Sequence, residues 1–283
     1  MWSVATGGLV PASARSLPPL KLYRPRSIAQ VMEVLVNAED PVLLAGGTDL
    51  VAAFNEGLRP AALVSLAQVE ELRAVHDTGQ GLRIGAGATH HAGSANAVVL
   101  AQAPGLAQAW SSIANPRIRF SATIGGNLMA RRTRYEASLL LTAAQATLVF
   151  ATPGGVVRCT PQSLWADGPL DRSLLVAIEI QTAELVDYFY ERSMRPLLTL
   201  AVGLRRSGEE IELFCAVATE YLQPTLLELK VRASDLAAHG QDVARELFKQ
   251  LPPSFADPVV THHYAQTAGA VLLARRLAGV AHA

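Results

Sequence analysis

The chain has 283 residues, half of them hydrophobic, with 24 basic and 24 acidic side chains, so it can bury a large core at a formal net charge of zero. That balance gives no electrostatic footprint for nucleic acid or an anionic membrane surface, and no run reaches the roughly 18 uncharged apolar residues of a membrane span. Two cysteines, Cys159 and Cys215, have no metal-ligand spacing, and their scarcity fits a reducing compartment.

The opening residues lack the basic start and continuous apolar block of a secretory signal. Residues 1–19 therefore read as a flexible arm of a cytoplasmic protein. "LYRP" then leads into a helix in which Ile28, Val31, Met32, Val34 and Leu35 fall at helical spacing, with Ser27 as its N-cap. "PVLLAGG" and "AALVSL" read as short buried strands and "LRIGAGAT", Leu82 to Thr89, as a third. A helix-and-loop region follows, then the helix "YEASLLLTAAQA" and strands at "TLVFAT" and "LLVAIEI". This alternation favours a mixed architecture over a bundle or sandwich. From about Asp187 the pattern changes. "LLTLAVGLRRSGEEIELFCAVAT" reads as two strands joined through "RSGEE", and two helices, "ASDLAAHGQDVARELFKQL" and "HHYAQTAGAVLLARRLAGVA", complete a separate α+β unit. The boundary is expected between Gln181 and Tyr190.

Two stretches share one shape. "VLLAGGTDLV" and "SATIGGNLM" each end an apolar run in paired glycines followed by a small polar residue. Glycine lets backbone approach a ligand and adopt positive φ, and successive N–H groups at such a turn can cradle phosphate. One such turn is commonplace at a strand end. Two suggest a ligand with linked phosphates held from both sides. The G-x-G-x-x-G fingerprint is absent, and "GAGATH" lacks its third glycine, so a dinucleotide here needs another fold. His90–His91 and His262–His263 lack acidic or cysteine companions at ligand spacing and read as surface or capping residues. Tyr188, Phe189 and Tyr190 read as strand core, and Arg119 as a brace for the loop ending in Gly125.

"LLAGGTDL", "IRFSATIGGNLM" and the opening "LYRP" together resemble the FAD-binding medium subunit of the molybdenum hydroxylases, the xanthine dehydrogenase and carbon monoxide dehydrogenase family. The resemblance implies an α+β chain: a two-subdomain FAD-binding fold of the vanillyl-alcohol-oxidase/PCMH type over 20–185, divided at about residue 75, and a small α+β domain over 186–283. It implies FAD in this chain, with molybdenum cofactor on a large partner subunit and two-iron two-sulfur clusters on a small one, assembled as a dimer of heterotrimers. Carried over residue by residue, the first phosphate loop becomes Leu43, Leu44, Ala45, Gly46, Gly47, Thr48 and Asp49. The second becomes Thr123, Gly125, Gly126 and Asn127. Ile113 and Leu175 take the places of flavin-packing residues, and Arg192 that of a basic residue near the cofactor. Glu136 stands where the family has an aspartate contacting adenosine, after three arginines, Arg131, Arg132 and Arg134, that replace a small, polar segment. Phe120 replaces an asparagine. Two alternatives remain at this point, a self-contained flavin oxidase of the same fold and a non-catalytic scaffold subunit.

Overall fold

A computed structural model describes residues 2–5, 8–11, 19–193 and 197–280. Within the arm, β1 (Trp2–Ala5) and β2 (Gly8–Pro11) pair antiparallel, Trp2 opposite Pro11, where no strand was expected; the rest of residues 1–18 lies outside the described residues. The next elements are β3 (Lys21–Tyr23), α1 (Ile28–Asn37), β4 (Pro41–Leu44), α2 (Leu50–Glu56) and β5 (Ala62–Ser65). The strands form a three-stranded parallel sheet in the order β3-β5-β4. Ser27 caps α1 as expected: its Oγ accepts from the Gln30 N–H at 3.2 Å, satisfying a donor that the first helical turn leaves free.

The chain continues through β6 (Val75–Asp77), β7 (Gly81–Gly85), α3 (His90–Ser94), α4 (Ala97–Gln102), α5 (Pro104–Ser111), α6 (Pro116–Ser121), α7 (Ile124–Met129), α8 (Glu136–Ala143), β8 (Thr147–Thr152), β9 (Gly155–Cys159), α9 (Pro161–Asp167) and β10 (Leu174–Gln181). A five-stranded antiparallel sheet runs β6-β7-β10-β8-β9. The central strand β10 is buried on both faces from Leu174 to Ala177, which is why it reads as a continuous apolar run rather than an alternating one. The strand expected over Leu82–Thr89 ends at Gly85. Beyond it the Ala86 N–H still donates to Val176 O of β10 at 3.1 Å, while the carbonyls of Ala86 and Ala88 accept from Gly125 and Ile124 of the second glycine segment.

Each side of this sheet carries its own core. Val149, Leu174 and Val176 pack with Val31, Leu35 and Val64, which docks the parallel sheet and α1. On the other side Ile84, Ile178 and Phe150 pack with Trp110 of α5 and Leu139 and Leu140 of α8.

The last sheet is antiparallel in the order β11 (Leu185–Arg192), β12 (Thr199–Ser207), β13 (Glu210–Ala218), β14 (Thr225–Arg232), followed by α10 (Ala233–Lys249) and α11 (His262–Val280). The expected hairpin is β12–β13, with Ser207 opposite Glu210 and Gly208 at φ +66° in the connection. Two further strands flank it. The sheet alternates as a two-sided layer must: Ala201 and Ala216 face the α8 core, while Val202, Leu213 and Cys215 face α10 and α11. Tyr188 and Phe189 are buried strand residues, and the Tyr188 hydroxyl donates to the Leu140 carbonyl at 2.7 Å. Arg205 of β12 donates to the Ala144 carbonyl at 2.9 Å just beyond α8, fixing the third sheet against the helix that starts at Glu136.

Candidate functional site: an inter-sheet cavity between two glycine motifs

Strand β4 delivers the first glycine motif to the C-terminal edge of the parallel sheet, and residues 45–49 cross from there to α2. The second motif is not a turn. Thr123 is the N-cap of α7, and Gly125, Gly126 and Asn127 form the first turn of that helix. Within each pair the two glycines do different things. A Cβ on Gly46 would fall on the Ser121 carbonyl, and one on Gly125 would lie 2.7 Å from Ala86, so these two exist to let backbone meet protein. Gly47, at φ +74°, would have nothing closer than Leu44 at 3.4 Å, and it supplies the left-handed step that turns the loop into α2. Gly126 is open except toward the Thr123 hydroxyl. Gly46 packs the first motif on the backbone just before the second, and Gly125 packs the second on Ala86 beyond β7; Gly47 and Gly126 open onto the space between the motifs.

That space is a cavity of about 570 Å³. Of the fifteen expected cofactor-binding residues, thirteen line it: Leu43, Ala45, Gly46, Gly47, Thr48, Asp49, Ile113, Thr123, Gly125, Gly126, Asn127, Glu136 and Leu175. Leu44 does not line it, because successive side chains of a strand point to opposite faces and Leu43 is the one turned inward. Arg192 lies outside as well. It borders an adjoining groove of about 280 Å³ with Arg134, Tyr135 and Glu136, where its guanidinium stacks on Tyr190 at 5.4 Å.

The motifs also differ in their free hydrogen-bonding groups. The second has used its backbone donors: Gly125 N–H goes to Ala86 O at 2.9 Å, Gly126 N–H to Thr123 Oγ1 at 3.0 Å, and Asn127 N–H to Thr123 O at 2.9 Å. A phosphate cradle of N–H groups is therefore not available there, contrary to the expectation from sequence. What it presents is the Asn127 side chain, whose Oδ1 is buried without a partner among the described residues. In the first motif no described acceptor takes the N–H of Gly46, Gly47, Thr48 or Asp49. An unpaired buried polar atom costs free energy, so Asn127 Oδ1 in the cavity wall is a candidate ligand contact; the first loop is half-buried, with Thr48 exposed, and its N–H groups are free to meet a ligand or water.

Two charged groups line the cavity, Asp49 and Glu136, and several arginines lie close to them or to its walls. Asp49 does not cap α2. Its Oδ1 accepts from Arg132 Nε at 2.5 Å and from the Tyr135 hydroxyl at 2.9 Å. Arg131, at φ +48° just past α7, donates to the Trp165 carbonyl at 3.0 Å and stacks on that indole at 5.7 Å. Glu136 has a carboxyl pushed above its usual range by burial, against which the nearby Arg192 and the Tyr190 hydroxyl, donating at 3.3 Å, pull down. Arg119 braces the carbonyls of Ile113 and Ala114 at 3.0 and 2.9 Å, holding the apolar wall of the cavity rather than the loop ending in Gly125. His90, expected in a surface or capping role, is fully buried as the first residue after the Thr89 cap, and its Nδ1 accepts from Trp110 Nε1 at 2.7 Å.

Among the lining residues that sequence reading missed are Tyr135, Ile118, Leu58, Leu66, Leu72 and Ser173. Tyr135 stood beside a flagged position and was legible as an aromatic hydroxyl next to it. The leucines carry no local signal, because an apolar side chain facing a ligand and one facing core look alike. A larger groove, about 1110 Å³, lies along α10 and α11, and neither glycine motif contributes to it.

A cavity with a leucine-rich wall, unpaired loop N–H groups and an unpaired carboxamide oxygen suits a ligand with an apolar ring system and an anionic link. Set between a parallel and an antiparallel sheet, it defines a two-subdomain dinucleotide-binding fold. The same fold is found in carbon monoxide dehydrogenase from Hydrogenophaga pseudoflava, one chain of which superposes with a TM-score of 0.76 at 22% identity over 94% of this chain and 99% of that one. The sequence profile described as "FAD binding domain in molybdopterin dehydrogenase" matches residues 18–183, and the chain belongs to that family. It is therefore an FAD-binding subunit of the molybdenum hydroxylase type. Among curated relatives, the carbon monoxide dehydrogenase medium chain of Hydrogenophaga pseudoflava is 29% identical over 223 residues, 74% of this chain and 77% of that protein. The nicotinate dehydrogenase FAD-subunit of Eubacterium barkeri is 25% identical over 194 residues, 64% of this chain and 66% of that protein. No helix among the described residues is long and apolar enough to cross a membrane.

Proposed function

We propose that this chain is the electron-exit subunit of a heteromeric, cytoplasmic molybdenum-containing hydroxylase or dehydrogenase. Its FAD takes electrons from iron–sulfur clusters of a small partner subunit and passes them to an external acceptor, while a large partner subunit with molybdenum cofactor oxidises the substrate. The assembly expected is a dimer of heterotrimers. The observation that carries the reading is the pairing, in one cavity, of four unengaged loop N–H groups with the orphaned Asn127 carboxamide.

These residues fit an FAD. The N–H groups of Gly46 to Asp49 would hold the diphosphate, since oriented amides favour an anion without adding net charge. Asn127 would meet a polar part of the cofactor that its Oδ1 now lacks. Ile113 and Leu175, 3% and 5% exposed, offer a dry wall to the ring system. Glu136 would serve the adenosine end, with Tyr190 and Arg192 fixing its carboxyl. Bound FAD supplies the redox chemistry; the chain binds it, orients it and controls water around it.

The protein is expected to purify with non-covalent FAD that acid or heat releases as intact dinucleotide, and to oxidise no substrate unless its partner subunits are added. FMN, or no flavin under gentle purification, would overturn the assignment. Substrate turnover by this chain alone would shift it to the self-contained oxidase. A sharper check is Asn127→Ala. Removing a carbonyl that has no partner should leave the flavin-free protein melting at or above wild type. Loss of its contact with FAD should raise the dissociation constant by about 2- to 12-fold, the span of one net hydrogen bond. A variant that melts lower but retains FAD as wild type does would show that Asn127 is structural.

A further inference from the structure

The Asp49 carboxylate stands in the same loop as the N–H groups assigned to an anionic diphosphate. Left alone, it would repel that ligand. It is not left alone. Arg132, 83 residues on, donates through Nε at 2.5 Å, and the Tyr135 hydroxyl donates to the same oxygen at 2.9 Å. The far end of the guanidinium sits 3.9 Å from Glu56 at the end of α2, so Arg132 spans both ends of that short helix. Asp49 and Arg132 are each about 30% exposed, which leaves the pair only partly screened by solvent. The Asp49 contact also raises the guanidinium's proton affinity. The backbone geometry puts Arg132 there: α7 ends at Met129, Arg131 takes a left-handed turn and is tied to Trp165, and the next side chain is directed back to the first motif.

We propose that Arg132 is a positioning residue for cofactor binding: it neutralises Asp49 and fixes it to the second motif, so that an anionic dinucleotide can enter beside a carboxylate. Arg132 acts on the cofactor through Asp49 rather than as a phosphate ligand. This inference rests on the FAD assignment above and adds a residue that the sequence resemblance does not supply, since the arginine segment departs from the family pattern.

The charge count gives each variant its own sign. With Arg132→Ala the first loop carries an uncompensated carboxylate, and FAD should be lost about tenfold faster than from wild type, an effect that shrinks at high salt. With Asp49→Asn the repelling charge is gone, Tyr135 retains an acceptor, and the freed guanidinium adds attraction, so FAD should be held more tightly than in wild type. The double variant lacks both charges of the pair, leaving only the more exposed Glu56 carboxylate at the far end of α2, and should recover most of the loss seen in Arg132→Ala. The readouts are FAD dissociation rates from the purified protein at low and high salt and the melting temperatures of the flavin-free forms. If Arg132 binds phosphate directly, the loss will persist in the Asp49→Asn background, which overturns the proposal. If the pair is only a structural tie, Asp49→Asn will lose FAD and melt lower, as Arg132→Ala does, and this also overturns it. Wild-type FAD retention in Arg132→Ala overturns the clasp alone. A wild-type protein without FAD overturns the cofactor assignment, and the clasp with it.

Discussion

Gly46→Ala should cost the protein about 3 kcal/mol of stability and most of its FAD. The added Cβ would fall on the Ser121 carbonyl oxygen and within 2.9 Å of the Ala122 Cα. Both are backbone atoms that cannot rotate away. Ser121 and Ala122 are held by the Ala122 N–H to Ile118 O bond at 2.7 Å and by the His90 N–H to Ala122 O bond at 3.0 Å, so relief must come from parting the two motifs. Overpacking of well-fixed positions costs about 1–3 kcal/mol, occasionally more, and this contact belongs at the upper end. Parting the motifs also widens the cavity they enclose, so cofactor loss should accompany the drop in melting temperature. Gly47→Ala provides the contrast. Its strain is the left-handed φ alone, about 1–2 kcal/mol, with no backbone collision. Chemical unfolding and flavin content of the two variants decide the matter. Equal costs, or a Gly46→Ala protein with full FAD, would mean that the two motifs are not in backbone contact.

The second large effect is on pH dependence. His90 is buried between α5 and the second glycine segment, and burial, reinforced by the nearby Arg119 charge, lowers its pKa from the usual 6.5 to about 4. Trp110 donates to Nδ1, so the ring is neutral with its proton on Nε2. Between pH 6.5 and 4 the unfolded chain binds a proton at this position that the folded chain does not. The stabilisation due to neutral His90 is complete above pH 6.5 and is lost as pH falls through this window. At one pKa unit per 1.36 kcal/mol, the loss reaches about 2 kcal/mol by pH 5 and about 3 kcal/mol below pH 4. Carboxylates contribute to acid unfolding as well, so the measurement is a difference. Urea midpoints of wild type and His90→Gln, whose amide oxygen can still accept from Trp110, are compared from pH 7.5 to 4. The gap between them should close or reverse as pH falls, and a gap independent of pH would show that His90 titrates normally.

Much of this was readable along the chain, for one reason: the signals were local. Helix α1 follows from apolar spacing and the Ser27 hydroxyl, because a cap and a 3.6-residue period need only neighbours. The β12–β13 hairpin follows from two apolar runs around Gly208. The two glycine motifs were also legible, because each pair ends an apolar run and is followed by a small polar residue, a shape that the chain repeats.

What they come close to was decided by tertiary structure. Sequence pointed both motifs at the ligand, but Gly46 and Gly125 serve protein contacts, and the second motif's N–H groups are consumed by Ala86 and Thr123. Periodicity does not reveal which acceptor lies across a gap. His90 read as a surface or capping residue because its burial depends on Trp110, twenty positions away. The same holds for the order β6-β7-β10-β8-β9, in which β10 lies between strands that both precede it. The Asp49–Arg132 pair joins residues 83 apart. Sequence alone determined the local elements, the positions of close backbone approach and the family resemblance. Which glycine of each pair meets protein and which opens onto the cavity, and which charges pair, was settled only by packing, since these depend on distances between segments that no local pattern encodes.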